Sequence, residues 1–234
     1  MGEKVVGVLG GMGPEASVLF YQRLTSRTPA RKDQEHLHVI IDSYSKVPDR
    51  TASILEGSRD TLDAIVASAR RLQVAGAGVL AMPCNSAHYW YDDISVMIDI
   101  PLINMIEEVF NEVGRAGVTR VGLLATTGTV TSGVYARAAG EVELIHPNQD
   151  GQERVHQAIY SIKGAAGEKL LQIKRDLLSV IEQLREEGIG GVILGCTEIP
   201  ILIGAEDVEE MPVFDSTDIL VEATLREALP ASTN

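Results

Sequence analysis

The 234-residue chain has two cysteines, and both occupy one position of a repeated segment. Gly76–Ser86 reads GAGVLAMPCNS and Gly188–Glu198 reads GIGGVILGCTE. Gly76 aligns with Gly188, Gly78 with Gly190 and Cys84 with Cys196, without a gap. A lone free cysteine at the end of a buried strand is most often a small hydrophobe. Two in duplicated positions point to shared chemistry. A pair of like acid/base groups can invert a stereocentre: a thiolate takes a proton from one face and a thiol returns one to the other. The roles then swap with the enantiomer. Free thiols titrate near ~8.5, so a modest lowering by a positive helix end would suffice. The carbanion needs no cofactor if backbone N–H groups and polar side chains hold an adjacent α-carboxylate. Asn85 and Ser86, Thr197 and Glu198, and Thr126 and Thr127 are the candidates, with Met12 in the Gly10–Pro14 loop as part of the wall.

The elements that must carry these residues follow from the pattern. The apolar run Val79–Met82, entered from a glycine turn, suits a strand buried on both faces of a parallel sheet. Asn85 and Ser86 are helix-starting types, which places Cys84 at the carboxyl end of its strand, facing a helix N-terminus. Open α/β sheets bind ligands at that edge. In order, the chain predicts a strand over 4–9, a glycine turn, a helix from Pro14 to Arg27 and a strand over 37–42. The polar loop Ser43–Ser53 is long for such a connection and is a functional candidate. A long helix over Ala52–Ala75, the Cys84 strand, a helix over Ser86–Val96, a short fourth strand Pro101–Ile103 and a helix from Asn104 to Val113 complete the first half. The second half repeats the order, with VGLLATTGTVTS lying over VGVLGGMGPEAS and Gly122 on Gly7. It reads as strand 119–124, helix 130–139, strand 141–145, a helical region 151–187 broken near Gly164–Gly167, the Cys196 strand, strand Pro212–Phe214 and a helix from Ser216 to Ala228. Strands alternating with helices predict an α/β fold of two pseudo-symmetric units. Each would be a small four-stranded parallel sheet flanked by helices, with the active site in the cleft between them.

GGMGP, KVPDRT, PCNSAH, LLATTGT and GCTEIP, in this order across essentially the whole chain, resemble the cofactor-independent aspartate/glutamate racemases. The cysteine-bearing motifs are specific; GGMGP alone is weak. The resemblance implies that Cys84 and Cys196 are the acid/base pair of a PLP-independent racemisation. It implies that Asn85, Ser86, Thr127, Thr197 and Glu198 surround the substrate α-carboxylate and ammonium. Arg50 and Lys163 would meet a side-chain carboxylate. Ser86 replaces the threonine of the family motif and keeps its hydroxyl. The resemblance also implies a homodimer, and units divided as 1–100 plus 207–234 and 101–206, the C-terminal helix returning to the first unit. An Arg/Lys pair suits a dicarboxylate on physical grounds as well, Arg being able to bind it bidentate.

Composition sets the outer limits. A net charge of −13 argues against nucleic-acid and anionic-membrane partners. No apolar run is long enough to span a bilayer, and the N-terminal stretch lacks a signal-peptide pattern, so the reading is a soluble cytoplasmic protein. No metal is expected: His36 and His38 alternate along a strand without a third ligand, and His146 and His156 show no partner spacing. His88, four residues after Cys84, reads as a polar helix residue. The main rival is dinucleotide binding, since Gly11-x-Gly13-x-x-Ala16 opens a helix and Asp42 ends the next strand. Related racemases and isomerases of hydantoins or maleate, an α-aryl decarboxylase and a non-enzymatic thiol switch are the others.

Overall fold

The computed structural model describes residues 2–162 and 166–230, so Lys163 lies outside the described residues. In chain order the elements are β1 (Val6–Gly10), α1 (Pro14–Arg27), β2 (Val39–Ser43), α2 (Arg50–Glu56), α3 (Asp60–Val74), β3 (Val79–Ala81), α4 (Tyr91–Ser95) and α5 (Met105–Arg115). They continue with β4 (Arg120–Leu124), α6 (Thr127–Ser132), α7 (Val134–Ala138), β5 (Glu143–Ile145), α8 (Gln149–Ile162), α9 (Glu168–Glu186), β6 (Val192–Leu194), β7 (Val213–Asp215) and α10 (Ser216–Ala228). Two compact units result, Met1–Met105 with Thr217–Asn234, and Ile106–Ser216. The sequence places these limits at 100 and 206. β7 pairs in parallel with β6, however, and this extends the second unit to Ser216.

Both sheets are parallel, ordered β2-β1-β3 in the first unit and β5-β4-β6-β7 in the second. The expected fourth strand of the first sheet shrinks to one bridge, Leu80 to Leu102. Leu80 N–H donates to Pro101 O at 2.8 Å and Ile103 N–H to Leu80 O at 2.9 Å. Pro101 has no N–H to extend the ladder, and the chain leaves at once for α5. The cysteine-bearing strand thus holds the same place in both sheets. β1, β3 and β6 are buried along their whole length, the environment that continuous apolar runs require.

Helices seat on the two sheets in the same way. α3 presents Leu62, Ile65, Val66, Ala69 and Leu72 as its buried stripe. A Cβ on Gly7 of β1 would lie 2.6 Å from Leu80 Cδ2 and 2.8 Å from Ala77 Cβ. The matching Gly122 of β4 would meet Ile189 Cδ1 at 2.9 Å and Leu184 Cδ1 at 3.1 Å. Both glycines make room for a side chain packed across the middle strand.

Two long helices of the sequence reading are broken. The Ala52–Ala75 span divides into α2 and α3 at Gly57, which is left-handed at φ 68°. The 130–139 span divides into α6 and α7 at Gly133, φ 66°. Apolar periodicity continues across both breaks, and a glycine that can take a positive φ ends each helix. α10 packs its apolar side, Leu220, Val221 and Leu225, into the first unit's core with Val6, Val8, Phe20 and Leu24. Arg23 and Arg27 pair with Asp218 at 2.8 and 2.6 Å along that seam.

Candidate active site

In the first unit, Met82-Pro83-Cys84 carries the chain off the end of β3. Cys84 is 4% exposed and packs with Met12, Val47 and Trp90. Ser86 Oγ lies 3.6 Å from the Cys84 sulfur. Asn85, buried, and Ser86 follow the thiol directly, but the expected α-helix is instead a five-residue 3-10 turn, Ser86–Trp90, with no side-chain cap from Asn85. After Cys196 the helical piece is shorter still, Ile199–Ile201. Neither sulfur therefore faces the aligned peptide dipoles of a long helix, and that expected source of thiolate stabilisation is corrected.

His88 takes on the role that the sequence did not show. It is 2% exposed, its Nδ1–H donates to the Cys84 carbonyl at 2.9 Å, and its Nε2 accepts from Met105 N–H at 3.2 Å. Burial pushes its pKa down to about 4, against the opposing pull of the Cys84 and Ile103 backbone groups. A neutral imidazole thus ties the Cys84 backbone to the first amide of α5. The clue in the sequence was its place four residues after Cys84; Met105 was too distant in sequence to be linked to it.

In the second unit, β4 and β6 run side by side and Gly195 N–H donates to Leu124 O at 2.8 Å. This register sets the turn after β4 beside Cys196. The Cys196 thiol, 8% exposed, donates to Glu198 Oε2 at 2.9 Å, and Thr197 Oγ1 donates to the same oxygen at 3.3 Å. Thr197 and Glu198 are themselves buried. Glu198, expected among the residues around the substrate α-carboxylate and ammonium, accepts a hydrogen bond from the thiol. Thr126 caps α6, accepting from Thr129 N–H at 3.2 Å, so its hydroxyl is committed to the fold. Thr127 is half-buried, and its N–H donates to His156 Nδ1 at 3.2 Å. Tyr135 is a further neighbour that the sequence did not reveal. It is buried, and burial pushes its phenol pKa up, with the Cys196 and Asp215 charges adding to the effect.

Arg50 opens α2 instead of lying in a loop. Its Nη1 donates to Pro48 O at 3.1 Å and more weakly to Val47 O at 3.4 Å, while its Nε is buried without a partner among the described residues. The features that favoured a dinucleotide are otherwise used. A Cβ on Gly11 would fall 2.4 Å from the Tyr44 backbone, so that glycine admits the chain after β2. Gly11 N–H donates to Ser17 Oγ at 2.9 Å, and Asp42 is held by Arg71 and by Ser68, each at 2.6 Å. Among the described residues, no group of three His, Cys, Asp or Glu is placed to hold a metal ion, and no helix is long and apolar enough to cross a membrane.

Known proteins share this fold. The family described as Asp/Glu/Hydantoin racemase matches residues 9–224. The broad specificity amino-acid racemase RacX of Bacillus subtilis (strain 168) is 25% identical over 227 residues, covering 94% of this chain and 96% of RacX. The Picrophilus torridus aspartate racemase structure has a TM-score of 0.85 at 30% identity, over 96% of this chain and 94% of that one. An aspartate racemase homologue from Pyrococcus horikoshii OT3 has a TM-score of 0.79 at 29% identity, over 96% and 99% of the two chains. The fold, the order of the motifs and a match over most of its length place this chain in the Asp/Glu/hydantoin racemase family, as a racemase and so an isomerase.

Proposed function

We propose that this protein racemises an acidic amino acid, aspartate or glutamate, by a two-base mechanism in which Cys84 and Cys196 are the acid and base. The observation that carries the reading is the equivalence of the two thiols: each follows the third strand of its parallel sheet. In one direction, the thiolate of one cysteine takes the α-proton and becomes a thiol. The C–H electron pair passes to the α-carbon and spreads into the carboxylate. The second thiol then delivers its proton to the opposite face and is left as thiolate. Nothing is oxidised or reduced, and solvent exchange resets the pair. Asn85, Ser86, Thr127 and Thr197 would hold the α-carboxylate and ammonium, with Met12 as an apolar wall. Glu198 accepts a hydrogen bond from the Cys196 thiol, which suits a carboxylate that shares that proton during turnover. PLP plays no part in this scheme, and the reading takes the protein as a cytoplasmic homodimer.

The preference for an acidic side chain rests on Arg50, whose buried Nε lacks a partner among the described residues. A second cation, Lys163, would complete the clamp. Replacing Arg50 by Ala is expected to raise KM for aspartate roughly 10- to 100-fold, the worth of a charge-assisted bond. The aspartate-over-alanine preference should fall by the same factor. A variant that keeps the preference would remove Arg50 from the clamp.

The function itself is tested by solvent exchange. Each enantiomer of aspartate and glutamate is incubated with the protein in deuterated water, and the α-proton is followed by NMR beside optical rotation. Loss of the α-proton with conversion to the antipode is the expected result. Intact α-protons in all four substrates would overturn the reading.

A further inference from the structure

Helix α8 reaches the turn after β4 at two points. Gln152 Nε2 donates to Ala125 O at 3.0 Å, and His156 Nδ1 accepts from Thr127 N–H at 3.2 Å. The two residues are four apart, one above the other on a single flank of the helix. They grip the backbone on either side of Thr126, one through a carbonyl and the other through an amide. We propose that Gln152 and His156 are positioning residues that hold the Ala125–Thr127 turn in the shape that receives the substrate.

The polarity of each contact is fixed by its partner. A carbonyl can only accept, so the Gln152 amide must turn its NH2 to Ala125. Its Oε1 is thereby left buried without a partner among the described residues. An amide N–H can only donate, so His156 must leave Nδ1 unprotonated and carry its proton on Nε2. The helix is in turn well anchored. Asn148 Oδ1 accepts from Gly151 N–H at 2.8 Å at its start, and Val155, Ala158, Ile159 and Ile162 are buried along its length. A Cβ on Gly151 would lie 3.0 Å from Pro147 Cβ, so the first turn has little room to shift. The His156 ring also lies against Tyr160, with centres 4.8 Å apart and planes tilted by 44°. A rigid rod thus grips a turn whose own helix, α6, is only six residues long.

The register gives this clamp its use. The turn lies beside Cys196, because Gly195 is bonded to Leu124 and its Cβ position is 3.2 Å from Ala125 Cβ. A displacement of Thr127 would change how the substrate is held without touching either thiol. The inference rests on the proposed racemase reading for what the turn receives, and on the hydrogen bonds alone for the clamp.

Two measurements separate these parts. The first is hydrogen exchange at the Thr127 amide, read by NMR in wild type, His156→Ala and His156→Asn. Loss of the acceptor in His156→Ala should speed exchange there roughly tenfold. Asn offers Oδ1 where the ring offers Nδ1 and should restore protection. The second is steady-state racemisation. His156→Ala should raise KM roughly 3- to 10-fold with kcat changed less than about twofold, and His156→Asn should recover KM. Gln152→Ala should raise KM similarly, and the double variant should cost less than the product of the two, because both act on one turn. Unchanged Thr127 exchange in His156→Ala would overturn the clamp. Faster exchange with unchanged KM would overturn its role in holding substrate. If wild type moves no α-proton, the failure belongs to the functional reading, and the amide measurement still decides whether the clamp exists.

Discussion

Cys84→Ser and Cys196→Ser are each expected to lose racemisation by a factor of about 10³ or more, since each removes one of two proton-transfer groups. The more telling outcome lies in deuterated water. With one thiol left, an enantiomer whose α-proton faces that sulfur can still lose its proton and receive a deuteron back on the same face. Each variant should therefore wash the α-proton out of one enantiomer slowly and with retention. The two variants should favour opposite enantiomers. Racemisation at the wild-type rate by either variant would sink the two-base scheme, and so would both variants sparing the same enantiomer. Circular dichroism and thermal melting separate these outcomes from misfolding. Serine is nearly isosteric with cysteine, so both buried sites should keep their packing.

A stability that falls on mild acidification, and that depends on His88, is the second expected result. Its imidazole titrates at about 4 in the folded protein, against 6.5 when solvated. The unfolded chain therefore binds more protons between these values, and stability must rise with pH across that window. Above about pH 6.5 the two states are equally deprotonated at this residue and the contribution is complete. Acidifying toward pH 4 removes it, because a proton on Nε2 eliminates the acceptor of the Met105 amide. The depression corresponds to about 3 kcal/mol. Urea unfolding from pH 7.5 to 4.5 measures it, and His88→Asn and His88→Gln remove the titration. Both variants should be less stable than wild type at pH 7.5 and converge on it toward pH 4.5. Carboxylates shared by the proteins cancel in the difference. A wild-type slope that persists in both variants would show that other groups cause it. The pair also divides the two bonds. Asn can place an amide donor near the Cys84 carbonyl, and Gln can place an oxygen near the Met105 amide. Activity that survives in Asn alone would locate the functional contact at Cys84.

Much of the architecture could be read from residue order because buried parallel strands leave an uninterrupted apolar record. Val79–Ala81 and Val192–Leu194 are of this kind, and the repeated glycines around them fix the register of the duplication. Gly7 and Gly122 leave a second record, since a side chain crosses each strand at those points. The helix breaks at Gly57 and Gly133 were missed because the apolar period runs through them. The 3-10 turns after both thiols were missed for a different reason. Asn85 and Ser86 have the composition of a cap, but Asn85 already has helical angles at φ −59° and ψ −50° and caps nothing with its side chain. His88, Gln152 and His156 each bond to backbone atoms that are remote in sequence. A backbone acceptor has no residue type, so no motif announces such a contact. The Cys196–Glu198 pair was visible as proximity, and the coordinates add the 2.9 Å contact between sulfur and carboxylate.

The route of the chain has a consequence for how the protein is made. Residues 106–216 are contiguous, so on a ribosome this unit has all of its strands before Thr217 is added. The other unit is synthesised in two instalments, and Leu220, Val221 and Leu225 arrive only after residues 106–216 to cover Val6, Val8 and Phe20. Until then a nascent apolar face waits uncovered, which makes this the stage at which chaperones would be needed. A truncation just before Ser216 would leave Val6, Val8 and Phe20 without that cover.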